Sequence, residues 1–87
     1  MKGYTYALIS LKDNKSYVGS TVDLDTRIIE HNAGKCVATR DRRPLKLVYY
    51  EGFDSIQLAR KRERYFKNAA GRRALKKIFE NLKNGGE

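Results

Sequence analysis

One cysteine, one proline, one histidine and no tryptophan are the first things to notice in this chain of 87 residues. Cys36 alone cannot form an internal disulfide, which fits a reducing compartment and leaves no disulfide partner to expect. With one Cys and one His there is no zinc site of the usual four-ligand kind. No apolar run reaches the length that spans a bilayer, and the start lacks a charged-then-apolar signal sequence. A cytoplasmic protein without a membrane partner is therefore expected. Acidic residues are also scarce: 10 Asp and Glu stand against 19 Lys and Arg, a formal net charge of +9. An excess of that density favours polyanions, nucleic acid first and acidic membrane surface second. Solubility is the plain alternative, and composition does not rank DNA against RNA. A chain this short buries roughly 60–65% of its unfolded surface, so one domain with a modest core is expected.

What is present begins with tyrosine. Gly3-Tyr4-Thr5-Tyr6 and Tyr17-Val18-Gly19 are β-prone runs on either side of a polar turn, Lys12-Asp13-Asn14-Lys15. They read as the two strands of a hairpin, 3–11 and 16–20, with Tyr6 and Tyr17 on neighbouring strands. The first strand has apolar residues on both faces, Tyr4, Tyr6 and Leu8 on one and Ala7, Ile9 and Leu11 on the other, and so belongs at the centre of its sheet. Gly19 permits a bend or a close backbone approach, which would also suit a phosphate.

Residues 22–33 read as a helix capped by Thr21 or Asp23 and ended by Gly34. Leu24 and Ile28 give its buried stripe. Arg27 and His31 sit side by side at the stripe's edge, within roughly 60° of Leu24 at 100° per residue. Residues 35–44 form a basic loop without apolar period, closed by Pro44, and 45–51 a third strand. A second helix, 55–70, opens on an Asp54–Gln57 capping pair and buries Ile56, Ala59, Phe66 and Ala70. Arg60, Lys61, Arg64 and Lys67 occupy the opposite arc. Glu63 falls within roughly 20° of Ile56 and of Ala70, an inward carboxylate on a basic helix. Gly71 marks a break, and a third helix, 72–83, shows Leu75, Ile78, Phe79 and Leu82 at amphipathic spacing. Residues 84–87 read as a disordered tail to the single domain 1–83.

The candidate chemistry rests on Tyr6, Tyr17, Arg27, His31 and Glu63. Phosphodiester hydrolysis needs a nucleophilic water, a group to take its proton, and positive charge on the transition state. A lone inward carboxylate such as Glu63 suits one Mg²⁺, which keeps most of its waters. Arg27 would supply bidentate contact to the phosphate. Tyr17, or Tyr6 next, would act as general base, provided a cation favours its phenolate. His31 would shuttle the proton. Each residue also has a plain reading. The tyrosines are half-buried core, Arg27 pairs with Asp23, His31 complements the helix dipole, and Glu63 pairs with Lys67 one turn on.

The order Tyr4-Thr5-Tyr6, Tyr17-Val18-Gly19, Arg27, His31 and Arg62-Glu63 resembles the GIY-YIG nuclease superfamily over roughly residues 3 to 75. Gly19-Ser20-Thr21, Leu24-x-x-Arg27-x-x-x-His31 and Arg43-Pro44-Leu45-Lys46-Leu47-Val48-Tyr49-Tyr50-Glu51 are similar to its small stand-alone bacterial members. The resemblance implies an α+β fold, a three-stranded antiparallel sheet flanked by about three helices, and metal-dependent DNA cleavage. It makes Tyr6 and Tyr17 the paired motif tyrosines, Arg27 the phosphate-facing arginine, His31 the common helix histidine and Glu63 the metal ligand. A single Mg²⁺ or Mn²⁺ site follows from the same likeness. Three departures stand out: Tyr-Thr-Tyr for Gly-Ile-Tyr, Ser20 where excision-repair relatives carry lysine, and Asn68 too early for the family's later asparagine.

The leading expectation is therefore a one-metal endonuclease acting on DNA, with RNA and the oligomeric state left open and repair or recombination as settings. Lys35, Arg40, Arg42 and Arg43 of the loop, with Arg60, Arg64 and Lys67 of the second helix, would position the backbone without reading sequence. The rivals are a non-catalytic nucleic-acid-binding module of the same fold and a protein-interaction domain using the third helix.

Overall fold

The structure, a computed structural model, describes residues 2–85, with side chains as far as Asn81. Strand β1 (Gly3–Ser10) turns into β2 (Ser16–Thr21), and helix α1 (Leu24–Asn32) follows. The chain then makes a single 3₁₀ turn (Arg40–Arg42), strand β3 (Leu45–Phe53) and helices α2 (Ile56–Lys67) and α3 (Ala69–Gly85). The three strands form one antiparallel sheet in the order β2-β1-β3, an α+β fold with β1 at its centre. Tyr6, Ala7 and Leu8 of β1 are each at most 1% exposed, as a strand covered on both faces requires.

Each face of the sheet holds its own core. On the first, Tyr6, Leu8 and Leu45 are packed by Tyr17, Leu24, Ile28 and Leu47 under α1. On the second, Ala7, Val18, Phe66 and Leu75 are packed by Val48, Tyr49, Tyr65, Ile78 and Phe79 under α2 and α3. A bulge leaves Val48 between the pairs Ala7/Tyr49 and Leu8/Leu47, so Val48 and Tyr49 both reach the second core. Helix α1 begins where Asp23 accepts from the Thr26 N–H at 3.1 Å, a cap worth about 1 kcal/mol.

Three sequence expectations change. Helix α2 is capped by Ser55, whose hydroxyl accepts from the Leu58 N–H, and not by Asp54. The break after α2 falls at Asn68, three residues before Gly71, so Ala70 lies exposed in the first turn of α3 and contributes nothing to the core. Asn68 supplies the physical reason: its side-chain carbonyl accepts from the Gly71 N–H at 2.8 Å and starts the new helix. Helix α3 continues to Gly85, so part of the expected tail is helical; Gly86 and Glu87 lie outside the described residues, as does the Leu82 side chain. Arg62 is drawn inward: its guanidinium lies over the Tyr65 and Phe66 rings and bonds Glu51, which also accepts from the Tyr49 hydroxyl.

Candidate active site at the outer strand

Strand pairing sorts the candidate residues by face. Tyr6 lies opposite Gly19 and Leu8 opposite Tyr17, while Thr5 lies opposite Ser20. Directly opposed residues share a face, so Tyr6 belongs with α1 and Ser20 with α2. The contacts agree. Tyr6 Oη is 2.8 Å from His31 Nε2 on α1, whereas Ser20 Oγ donates to Glu63 Oε1 on α2 at 2.6 Å. Tyr17 on the outer strand meets both groups. Its ring lies 5.3 Å from the His31 ring and 5.9 Å from the Lys67 ammonium, which donates to Glu63 Oε2 at 2.7 Å. The five candidates therefore form two clusters joined through Tyr17, rather than one enclosed pocket.

His31 is fully buried, not at a stripe edge. Its Nε2 meets Tyr6 and its Nδ1 meets Thr39 Oγ1 at 2.8 Å, so both ring nitrogens are occupied by hydroxyls that donate or accept as needed. Burial, with the Arg27 charge behind it, holds the imidazole below its ordinary 6.5. Its complement to the helix dipole is accordingly small, because a neutral ring carries no charge to offer. The unfolded chain takes up this proton near 6.5, so the stability from a neutral buried ring is whole above that pH. It is lost as the pH falls from there through the folded value. Urea midpoints of the wild-type protein should drop as the pH falls below the ordinary histidine value of about 6.5, and His31→Gln should flatten that drop. Equal slopes for the two proteins would contradict the buried neutral ring.

The two tyrosines are distinguished by burial. Tyr6 is 1% exposed, and its phenol is pushed up to about 12 by burial, against the opposing pull of Arg27. It lies flat enough on β2 that a β-carbon at Gly19 would come within 2.5 Å of Tyr6 Oη. The room at Gly19 is therefore taken by Tyr6, not kept for a phosphate. Tyr17 is only half-buried and retains access to solvent. Arg27 reaches Glu30 at 3.2 Å, one turn on, and not Asp23, whose carboxylate is committed to the cap. Its side chain is 36% exposed and its pKa lies above the ordinary value, chiefly through Tyr6. Most of its donors are left for an anion.

Glu63 is half-buried. Burial works to raise its pKa, but the hydrogen bonds from Lys67 and Ser20 outweigh it and the carboxyl stays below the ordinary carboxylate value. It is thus ionised at neutral pH, and each oxygen keeps a lone pair beyond the bond it already accepts. Among the described residues no group of three or more His, Cys, Asp or Glu converges to cage an ion. One ionised carboxylate fits a single, largely hydrated Mg²⁺ or Mn²⁺ and no ion that needs several protein ligands.

The loop cations are placed variously. Arg42 bonds Asp13 at 3.0 Å, and its carbonyl accepts from Ser10. The Lys15 backbone N–H, ahead of Arg42, pulls the Asp13 carboxyl down to about 2. Arg40 donates to the Gly34 carbonyl and Arg43 to the Arg40 carbonyl, while Lys35 is exposed. Arg60 and Arg64 are exposed on α2 beside Lys67. Sequence reasoning missed Thr39, the second partner of His31, because nothing in an aperiodic loop marks one hydroxyl as buried.

The same frame appears in known proteins. Residues 2–77 match the GIY-YIG catalytic domain. The chain belongs to the GIY-YIG family. Domains of this family are typically nucleases that use divalent metal ions and act on nucleic acid. The chain is 42% identical to the UPF0213 protein SH2523 of Staphylococcus haemolyticus over 80 residues, 91% of this chain and 96% of that one. It is 39% identical to a UPF0213 protein of Syntrophus aciditrophicus over 82 residues, 92% and 93% of the two chains. The solution NMR structure of the UPF0213 protein BH0048 from Bacillus halodurans superposes with a TM-score of 0.54 at 34% identity, covering 90% of this chain and 85% of that one. The match makes this chain a GIY-YIG domain similar to these UPF0213 proteins. Among the described residues no helix is long and apolar enough to cross a membrane.

Proposed function

We propose that the chain is a metal-dependent endonuclease that hydrolyses phosphodiester bonds in DNA. The observation that carries this reading is the position of Tyr17, solvent-accessible and flanked by His31 on one side and by the Lys67–Glu63 pair on the other. Tyr17 takes the proton from the attacking water. It does so as the phenolate, whose negative charge the transfer consumes. Tyr6, buried and held protonated, is a positioning residue: it fixes His31, whose ring edge in turn fixes Tyr17. His31, without exposed surface, acts by that packing and not by exchanging protons with water. Arg27 holds the phosphate and offsets its added charge in the transition state. Glu63 would hold the divalent cation, which when bound supplies Lewis-acid stabilisation of the phosphoryl oxygens. For that, Lys67, whose side chain is 51% exposed, swings aside.

Supercoiled plasmid incubated with Mg²⁺ or Mn²⁺ should be nicked by the wild-type protein and spared in EDTA. Tyr17→Phe should slow nicking by about 10²-fold or more, as expected when a general base is removed. Full activity in Tyr17→Phe would exclude its role as base. One feature favours a second reading, a non-catalytic module that binds nucleic acid: the Lys67 ammonium already sits where a cation would bind Glu63. That reading predicts salt-sensitive DNA retardation and intact plasmid whether or not metal is added.

A further inference from the structure

A cavity of about 580 Å³ opens beside Tyr17 on the α2/α3 face, away from α1. Its floor is apolar, with Val18 and Phe79 among the lining residues, and its cations come from two helices: Lys67 of α2 and Arg72 and Lys76 of α3. No carboxylate lines it among the described residues. The fold brings Arg72 and Lys76 of the amphipathic third helix to the groove that starts at Tyr17.

We propose that this groove binds an unpaired nucleic-acid strand leading away from the scissile phosphate, with Arg72 and Lys76 on its phosphates and Phe79 and Tyr17 against its bases. The inference deepens the nuclease reading and rests on it. Two features select the occupant. Arg72 and Lys76, with no carboxylate in the lining and with Lys67 already paired to Glu63, complement a phosphodiester backbone, while an apolar, aromatic floor has nothing to offer a duplex whose bases are stacked inside. An unpaired base presents a π-face, and stacking on aromatic side chains tolerates any sequence. The preferred substrate is then DNA with a single-stranded segment beside the cleavage position, such as a flap or a fork, rather than continuous duplex.

The test compares two double variants of the full chain with equal charge change on the same helix. Arg72→Glu/Lys76→Glu alters the groove; Arg73→Glu/Lys77→Glu alters exposed positions that do not line it. Fluorescence anisotropy with a labelled oligothymidylate should show a Kd raised about tenfold or more by the groove variant and far less by the control. The slope of log Kd against log salt should fall by about 1.4, roughly 0.7 for each phosphate that is no longer neutralised. A duplex of matched length should separate the two variants much less. If charge reversal unfolds α3 by circular dichroism, Arg72→Gln/Lys76→Gln replaces it, with the same ordering expected. Equal weakening by the two double variants, equal sensitivity of the duplex, or a wild-type protein that leaves the oligothymidylate unbound would each overturn the groove. Plasmid nicking by the wild-type protein is read separately. Nicking with an indifferent groove sinks this inference alone, whereas groove binding without nicking sinks the nuclease reading and leaves a strand-binding site.

Discussion

Glu63→Gln is expected to lower metal-dependent cleavage by about 10³-fold while leaving DNA retardation within about twofold of wild type. Glutamine keeps the shape and can still accept from Ser20, but it removes the charge that a divalent cation needs. The loss should not come from unfolding. Glu63 and Lys67 form an i,i+4 pair with the lysine 51% exposed, and such pairs contribute well under about 1 kcal/mol. Urea midpoints should therefore be nearly unchanged. Mn²⁺ binding, followed by electron paramagnetic resonance without any substrate, should weaken in parallel with cleavage. Cleavage that survives in Glu63→Gln would remove the metal from this helix.

Gly71→Ala is expected to be the most damaging added methyl group among the described glycines. Its β-carbon would overlap the Tyr65 carbonyl and come within 2.7 Å of the Phe66 Cα, where α3 crosses the end of α2. These are backbone atoms, so no rotamer change relieves the clash. Separating the helices would also strain the Asn68 cap and unpack Phe66 from Leu75. A cost of about 4 kcal/mol or more is expected, in a domain whose total stability is on the order of 4–13 kcal/mol. Gly52→Ala is the matched control, because its nearest neighbour, the Tyr4 ring, stands at 3.5 Å. Urea denaturation should show Gly71→Ala largely unfolded and Gly52→Ala within about 1 kcal/mol of wild type. Similar midpoints for the two would contradict the tight crossing.

The strands, the hairpin of the first two and the central place of β1 were legible because alternation and apolar content on both faces are local signals, whereas the antiparallel pairing of the third strand was implied only by the family resemblance. A cap at Thr21 or Asp23 was legible from an equally local signal, and Asp23 is the one that accepts. The α2–α3 break was misplaced because Gly71 was read by its low helix propensity, while what decides the position is a polar side chain at 68 and the helix crossing above it. Propensity is a local quantity; a crossing is not. The site shows the same division. Its tyrosines, arginine, histidine and glutamate could be picked out by type and spacing, and the sheet brings Tyr6, Tyr17 and His31 together. The split of Glu63 onto the other face was available from parity, since Tyr17 and Ser20 are three apart on one strand and must point oppositely. Thr39 carried no such signal, because its partner is reached only once the loop folds back over α1.

Everything proposed for this site depends on Tyr17 and Glu63 working as one unit across the outer strand. The most direct measurement is the single-turnover cleavage rate of Tyr17→Phe, Glu63→Gln and their combination, at one Mn²⁺ concentration on one labelled substrate. Residues of one catalytic unit are strongly non-additive, so the double variant should be about as slow as the slower single one. A double variant slowed by the product of the two single factors would show two groups acting independently, and would contradict a shared unit.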